Sequence, residues 1–460
     1  MMIPEHKTGV GRRAVLRGAV IGALAAAPLP LAHRLTGSAP ASVPASAAAP
    51  AAACVDLPLV GGSEFPIGVF WPPPPYQTTV ERYGEMRDAG FNFVITGNYV
   101  DDQAIIRHTL AIAEQVGLKV LVSSDPDVQN MARRFTISDN RSVPMSITTA
   151  DARTLLTNSL NQYRGFESFA GFSLGDEPPE SQLDSLGKAF TIAREQAPTY
   201  TPYSNLVPGT GQGYKDMVHR FVTTCRPPML SYDRYPLLTS GEDPNYFENW
   251  AIIRAEALLA NIPSWVFVQS VEYSGHRFPT QAELLWNINT SLAYGCKGIQ
   301  YFTYWQPDPA RGENFGRAIT TLDGTHTPLY DAAKAINTGW LRPVGVELKP
   351  LVSERALHAN HTPPPGTVGF TADSYMTGTS GSPAVLGLFR PTDAAKTRWL
   401  LIANRQSGAS STTTVSLNQT TVTKVSVFDP ATRGYTAQAD KTKIVATLAP
   451  GAAALYRLDA

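Results

Sequence analysis

The chain has almost no cysteine: three in 460 residues, Cys54, Cys225 and Cys296. Thiols this few and this scattered exclude a disulfide framework and a cysteine metal cluster, and Cys225 and Cys296 are expected as buried thiols. Neither sign of charge is in excess. The 38 Lys and Arg balance 38 Asp and Glu, for a formal net charge of zero. That balance argues against nucleic acid or an anionic membrane surface as the main partner. Long hydrophobic runs are missing too. The apolar stretch AVIGALAAAPLPLA near the N-terminus is broken by Pro28 and Pro30 and is too short to span a bilayer, so no stable membrane insertion is expected. No glycine-rich phosphate loop follows the first apolar run, where FWPPPP stands instead, and no Ser-centred nucleophile elbow occurs. No His/Cys grouping has ligand spacing, so neither a metal nor a cofactor is expected.

What is present begins with a leader. GRRAVLRG places Arg12 and Arg13 before Val15 and Leu16, and an Ala/Pro/Ser tract follows the weak apolar core. Residues 1–53 look like a twin-arginine export signal and linker, with cleavage within ASAAAPAAA and a secreted, extracellular product. The rival is lipid anchoring at Cys54, after AAA.

From residue 65 a unit repeats: short apolar run, polar loop, segment of helical spacing. The runs are FPIGVFW (65–71), FNFVIT (91–96), LKVLVSS (118–124), FAGFSLG (169–175), TPYSNL (201–206), PMLSYDRY (228–235), SWVFVQS (264–270) and GIQYFTYW (298–305). Helix-like segments lie between them, among them DDQAIIRHTLAIAEQVG, with Ile105, Thr109, Ile112 and Val116 on one face and Gly117 as its stop. Strands alternating with helices read as a parallel sheet wrapped by helices. The count of eight predicts an α/β (β/α)8 TIM barrel over 60–343 rather than an open doubly wound sheet. After Leu341-Arg342-Pro343 the texture turns to alternation and turn clusters. Residues 345–460 are therefore expected to form a small C-terminal antiparallel β-sandwich.

In such a barrel functional groups gather at the carboxyl ends of the strands. Those ends carry Trp71, Asn98, Asp176 and Glu177, Asn205, Asp233 and Tyr235, Gln269 with Glu272 beyond it, and Tyr304 with Trp305. Aromatic faces interleaved with amides and acids suit a polyhydroxylated ligand, whose rings offer C–H faces and whose hydroxyls need hydrogen-bond partners. Trp71, Asn98, Asp176, Asn205, Tyr235, Gln269, Tyr304 and Trp305 are accordingly the expected substrate contacts, while Tyr232 and Trp286 are expected in the core.

GDEPP at strand four, SYDRYPL at strand six and AYGCKGIQYFTYWQP at strand eight resemble the retaining glycoside hydrolases of clan A, especially β-galactosidase-like bacterial relatives. The resemblance covers about residues 60 to 460. It implies a secreted glycosidase acting on an oligo- or polysaccharide, with the strand-four Glu177 as general acid/base. It also places a nucleophilic Glu at the tip of strand seven. Here Gln269 holds that tip, Glu272 lies three residues on, and Asp233 on strand six is the other candidate. Asp176 departs from the Asn that usually precedes the acid. The adjacent Asp176-Glu177 pair also looks like substrate-assisted hexosaminidases, and Gln269 leaves open a non-catalytic carbohydrate-binding protein on a decayed barrel.

Overall fold

The structure, a computed structural model, describes residues 56–460; the leader and Cys54 lie outside the described residues. Eight parallel strands, β1 (Ile67–Phe70), β2 (Phe93–Ile95), β3 (Lys119–Val122), β4 (Phe169–Asp176), β5 (Thr201–Leu206), β6 (Leu230–Asp233), β7 (Ser264–Gln269) and β8 (Gly298–Phe302), pair in sequence order and close into a barrel. Closure is the β8–β1 ladder, from Ile67 opposite Ile299 to Phe70 opposite Phe302. The helices after the strands are α1 (Val80–Asp88), α2 (Gln103–Val116), α3 (Thr149–Tyr163), α4 (Leu183–Gln196), α5 (Gly211–Cys225), α6 (Tyr246–Ala260), α7 (Gln281–Ala293) and α8 (Pro328–Ile336). The architecture is the (β/α)8 barrel expected from the strand–helix repeat.

Local chemistry sets the helix ends. The Asp102 side chain accepts from the Ala104 and Ile105 amides at the start of α2, and Gly117 ends it in the left-handed conformation at φ 72°. Thr280 and Glu283 form a capping box at the start of α7. The buried stripe of α2 is rotated from the expected one. It keeps the expected Thr109 and Ile112 but takes in Ile106, Leu110 and Ala113, leaving Ile105 and Val116 half-buried, because Leu110 draws the apolar face toward itself.

Side chains along the strands split with period two. Val94, Val120, Val266, Val268, Ile299 and Tyr301 pack with the helices, while Phe93, Ile95, Leu121, Tyr203, Trp265, Phe267 and Phe302 form a separate cluster inside the ring. Cys225 and Cys296 are buried free thiols, and burial pushes each up to about 12.

Helical backbone continues past α8 through Leu348, and a second module begins at Val352. It has β9 (Val352–Ala359), β10 (Met376–Gly381), β11 (Ala384–Arg390), β12 (Arg398–Asn404), β13 (Ser411–Leu417), β14 (Lys424–Asp429), β15 (Gly434–Ala437), β16 (Lys443–Leu448) and β17 (Ala453–Asp459). A six-stranded sheet, β9-β11-β12-β17-β14-β15, faces a three-stranded one, β10-β13-β16, and all their pairings are antiparallel. Leu386, Leu388, Leu400 and Ile402 fill the space between sheets with Val415 and Ile444. The intervening Val385, Phe389, Leu401 and Ala403 belong instead to the barrel's core cluster. Alternation thus gives the large sheet two buried faces, one of them against α7.

The seat on α7 is close. Trp286, fully buried as expected, donates from Nε1 to the Arg405 carbonyl at 2.9 Å, and Asn289 donates to the Gly451 carbonyl at 2.8 Å. Gly451 is held at φ 69°, and a Cβ there would stand 2.1 Å from the Ala282 carbonyl oxygen and 2.9 Å from the Trp286 nitrogen. Gly451→Ala should therefore cost about 3 kcal/mol, read as a lowered thermal midpoint; an unchanged midpoint would show that this contact yields freely.

Beside that seat His358 of β9 meets the Tyr294 hydroxyl at 2.9 Å and the Phe247 ring at 4.8 Å. Burial, helped by His361 and Arg405, lowers its pKa from 6.5 to about 3. Between those values the unfolded chain binds the extra proton, so stability is complete above the ordinary imidazole value and is lost as pH falls toward the folded one. Denaturant unfolding at about pH 7 and about pH 4.5 should show that loss, and His358→Gln should reduce the difference. An equal loss in the variant would remove His358 as its source.

Candidate functional site

The carboxyl rim of the barrel holds unusual backbone. Trp71 after β1, Asn98 and Tyr99 after β2, and Glu177 after β4 all take positive φ, at 64°, 51°, 68° and 48°. None is glycine, and a left-handed residue with a side chain persists only where its surroundings over-determine it, at a cost of about 1–3 kcal/mol. For Glu177 one such restraint is visible: its amide donates to the Asn205 carbonyl at 2.9 Å. The β4 strand therefore ends by turning a carboxylate out of its ladder. The next two residues, Pro178 and Pro179, precede the first turn leading to α4.

Acids from β4 and β6 converge here. Asp176 is exposed and Glu177 half-buried, while Asp233 at the end of β6 is only 8% exposed. The charges of these acids bear on two tyrosines, the buried Tyr203 and the half-buried Tyr214. Burial raises the Tyr203 hydroxyl, with the charges of Asp176 and Asp233 adding to the effect. Burial likewise raises Tyr214, opposed by an Asn249 hydrogen bond and supported by Asp233 and Glu177.

Beneath the acids lies a buried polar floor. Tyr203 donates to Gln300 Oε1 at 2.9 Å and lies 2.8 Å from Ser231 Oγ. Ser231 donates to Asn205 Oδ1 at 3.0 Å, and Gln300 Nε2 donates to Ser231 at 3.0 Å. This network fixes Asn205 (3% exposed) at the β5 tip. Arg133, from the segment after β3, donates to the Ser173 carbonyl and hydroxyl on β4, both at 3.0 Å.

Four expected ligand contacts are built into the scaffold instead. Gln269 is fully buried; its Oε1 accepts from Leu237 N at 3.1 Å, and its Nε2 donates to the carbonyls of Leu237 (3.2 Å) and Arg277 (2.7 Å). Both amide hydrogens are therefore spent on loops after β6 and β7. Tyr304 and Trp305 are 0% and 1% exposed within the core that faces the helices, because the chain leaving β8 folds outward over α1. Asn98 donates to the Pro72 carbonyl at 2.7 Å and locks the β1 loop. Glu272 stays on the rim, its side chain 43% exposed and 3.5 Å from Arg317 Nε. Its backbone is clamped to the loop after β8, since Glu272 N donates to Arg317 O and Gly316 N to Glu272 O.

The aromatic wall is built from other residues. Tyr235 stacks on Phe302 at 5.0 Å, and Phe302 stacks on Phe70 at 6.0 Å. Tyr273 stands edge-on to both Tyr235 and Phe302 and stacks on Phe315. His276 stacks on Tyr273 at 4.4 Å, with burial lowering its pKa. Trp71 remains at the rim under the Arg311 guanidinium, 4.5 Å from its ring, which also covers Tyr99 at 5.3 Å. The inward turn of Phe302 arises from period-two alternation with Gln300, whereas Tyr273, Phe315 and Arg311 sit on loops that carry no periodic signal. Among the described residues no group of three or more His, Cys, Asp or Glu is placed to hold a metal ion, and no helix is long and apolar enough to cross a membrane.

No family model and no curated protein sequence matches the chain. Solved structures do match in fold. One described as a glycoside hydrolase superposes with TM-score 0.52 at 11% identity, over 87% of this chain and 96% of its own. A glycoside hydrolase family 5 protein from Bacteroides vulgatus gives TM-score 0.52 at 10% identity, over 86% and 89%. A β-galactosidase from Marinomonas ef1 gives 0.45 at 13% identity, and the chain spans 62% of that protein. At such identities the two superpositions at 0.52 establish the shared fold and nothing beyond it.

Because Gln269 satisfies three buried backbone groups, Gln269→Ala should destabilise the chain by about 3 kcal/mol, measured by denaturant unfolding. Full stability in the variant would mean that the loops after β6 and β7 do not depend on it.

Proposed function

We propose that the chain is a glycoside hydrolase acting on an oligo- or polysaccharide at the carboxyl rim of its barrel. The observation that carries the reading is that Glu177, turned out of β4 at positive φ, and Asp233, at the end of β6, stand at the same rim on strands separated only by β5. Glycosidic cleavage needs a proton donor for the departing oxygen and a second carboxylate at the anomeric carbon. Glu177 takes the first role, on a strained backbone that aims it out of β4. Asp233 takes the second, attacking the anomeric carbon to form a glycosyl-enzyme ester that water then cleaves with retention. Glu272 is less suited to attack, since Arg317 and the clamped backbone hold it at the rim. Asp176, Asn205 and Tyr235 would meet sugar hydroxyls and a ring face. Fold likeness to two proteins described as glycoside hydrolases supports the class. Export through Arg12 and Arg13, yielding a secreted enzyme, belongs to the same proposal.

A second reading, a carbohydrate-binding protein on a barrel without chemistry, draws on Gln269, which leaves β7 without a carboxylate at its tip. One experiment separates the two: a hydrolysis screen over aryl glycosides and bacterial and plant polysaccharides. On a substrate so found, Glu177→Gln and Asp233→Asn should each lower kcat/KM by about 10²–10⁴-fold, while Glu272→Gln should stay within about threefold of the parent. Full activity in Glu177→Gln removes the assignment. Binding without turnover across the panel favours the second reading, and an inverted product in the NMR spectrum would recast Asp233 as the base that activates water.

A further inference from the structure

At the opposite, amino-terminal end of the barrel lies a cavity of about 260 Å³. The end of α6, the entries to β7 and β8, and the connection to β9 enclose it. Its walls are largely apolar, with Trp265, Leu258 and Leu351 among them, and Leu258 is 40% exposed beside solvent. Three cations, Arg254, Lys297 and Lys349, line the same space, and among the described residues no Asp or Glu does.

The cations are not equivalent. Lys349 donates to the carbonyls of Gly61 and Glu64; burial lowers its pKa, but the charges of Asp56 and Glu64 oppose that and favour its charged form. Arg254 and Lys297 have no acidic neighbour of that kind among the described residues. Arg254 spends Nε and Nη2 on the hydroxyl and carbonyl of Ser353, both at 2.9 Å. Lys297, only 9% exposed, donates to the Leu348 carbonyl and faces the Phe389 ring at 5.5 Å. Burial lowers the Arg254 guanidinium and brings the Lys297 ammonium down to about 7. Its chain neighbour Cys296 is itself pushed up by burial and stays a neutral thiol. An ammonium has three donors and a guanidinium five, so both groups keep hydrogen-bonding capacity beyond these contacts.

A buried Lys297 with a half-buried Arg254 beside it and no acid lining the cavity is costly, and carbonyl dipoles offset only part of that cost. A carboxylate entering the cavity would accept charge-assisted hydrogen bonds from both, while the Trp265 and Leu351 walls would receive an apolar group attached to it. We propose that this cavity is a binding site for a small organic anion, a carboxylate carried on an apolar body. Its position between α6 and the connection to β9 means that such a ligand would also tie the barrel to the sandwich.

Benzoate serves as the probe, with benzyl alcohol as its neutral counterpart and inorganic phosphate as an anion without an apolar body. Calorimetric titration and thermal unfolding of the full chain should give saturable binding and a raised midpoint with benzoate, and neither with the other two. Lys297→Met removes a buried cation at little change in volume and should fold at least as stably; it should weaken benzoate binding about tenfold or more. No saturable benzoate binding, equal binding of benzyl alcohol or phosphate, or an unchanged affinity in Lys297→Met would each overturn the proposal. The comparison of probes on the unaltered chain decides the question independently of the variant.

Discussion

The ladder between β8 and β1 is the constraint on which the rest of the molecule depends. Until Ile67 to Phe70 pair with Ile299 to Phe302, the strands form an open sheet with two edges, and nothing defines an interior. Closure removes the edges and turns each strand's alternation into an inside and an outside. It also gathers the carboxyl ends of all strands at one rim. Asp176 and Asp233 lie 57 residues apart in the chain, yet β4 and β6 are separated in the ring by β5 alone. Two steps of about 4.8 Å between neighbouring strands leave their inward-leaning carboxylates within reach of one bound ring.

Closure sets the interior's chemistry as well. The inner cluster is aromatic, with Phe93, Tyr203, Trp265, Phe267 and Phe302, where barrels more often use branched aliphatics. Rings of that size leave hydroxyls and amides that must find partners in the dry space above them. The Tyr203–Ser231–Gln300–Asn205 network meets that demand, and it forms the floor on which the rim acids stand. The same logic governs α7, which is buried on both sides. Its Trp286 and Asn289 reach the large sheet with donors, and Gly451 on that sheet's approach lets the backbones touch. Barrel and sandwich are thereby joined by directed bonds as well as apolar contact.

The architecture was almost fully legible because it is written in period. Eight apolar runs of strand length, each succeeded by helical spacing, allow few other folds, and every one of those runs became a barrel strand. The alternation after residue 345 foretold antiparallel sheets equally directly. Strand position also decided where candidate site residues would lie: Asp176, Glu177, Asn205 and Asp233 do stand at the ends of β4, β5 and β6. Position failed at β7 and β8. Gln269, Tyr304 and Trp305 stand at strand ends, but the loops beyond those strands turn them into scaffold, and loop paths leave no periodic trace. Tyr273, Phe315 and Arg311 were hidden for the same reason. The rotated stripe of α2 is a smaller case: two templates one residue apart differ only in whether Leu110 is inside.

A chain with no net charge still separates charge between the two ends of its barrel. The carboxyl rim gathers Asp176, Glu177, Asp233 and Glu272, while the amino end holds the half-buried Arg254 and the buried Lys297 with no acid among the described residues lining their cavity. Under the proposed function the first half of this arrangement is chemically apt, since positive charge develops on the sugar ring as a glycosidic bond breaks, and acids at the rim would stabilise it. Arginines near the rim are correspondingly occupied. Arg317 is paired with Glu272, Arg133 donates to Ser173, and Arg311 lies flat on Trp71 and Tyr99. Each has a local partner that holds it in place, so the acids around the pocket need not be neutralised from within. The amino end has no such arrangement. Arg254 and Lys297 meet carbonyls and a hydroxyl rather than acids, and a strand scaffold that serves the rim does not require Lys297 to be buried. The asymmetry is better explained by two separate uses of the barrel's ends than by one.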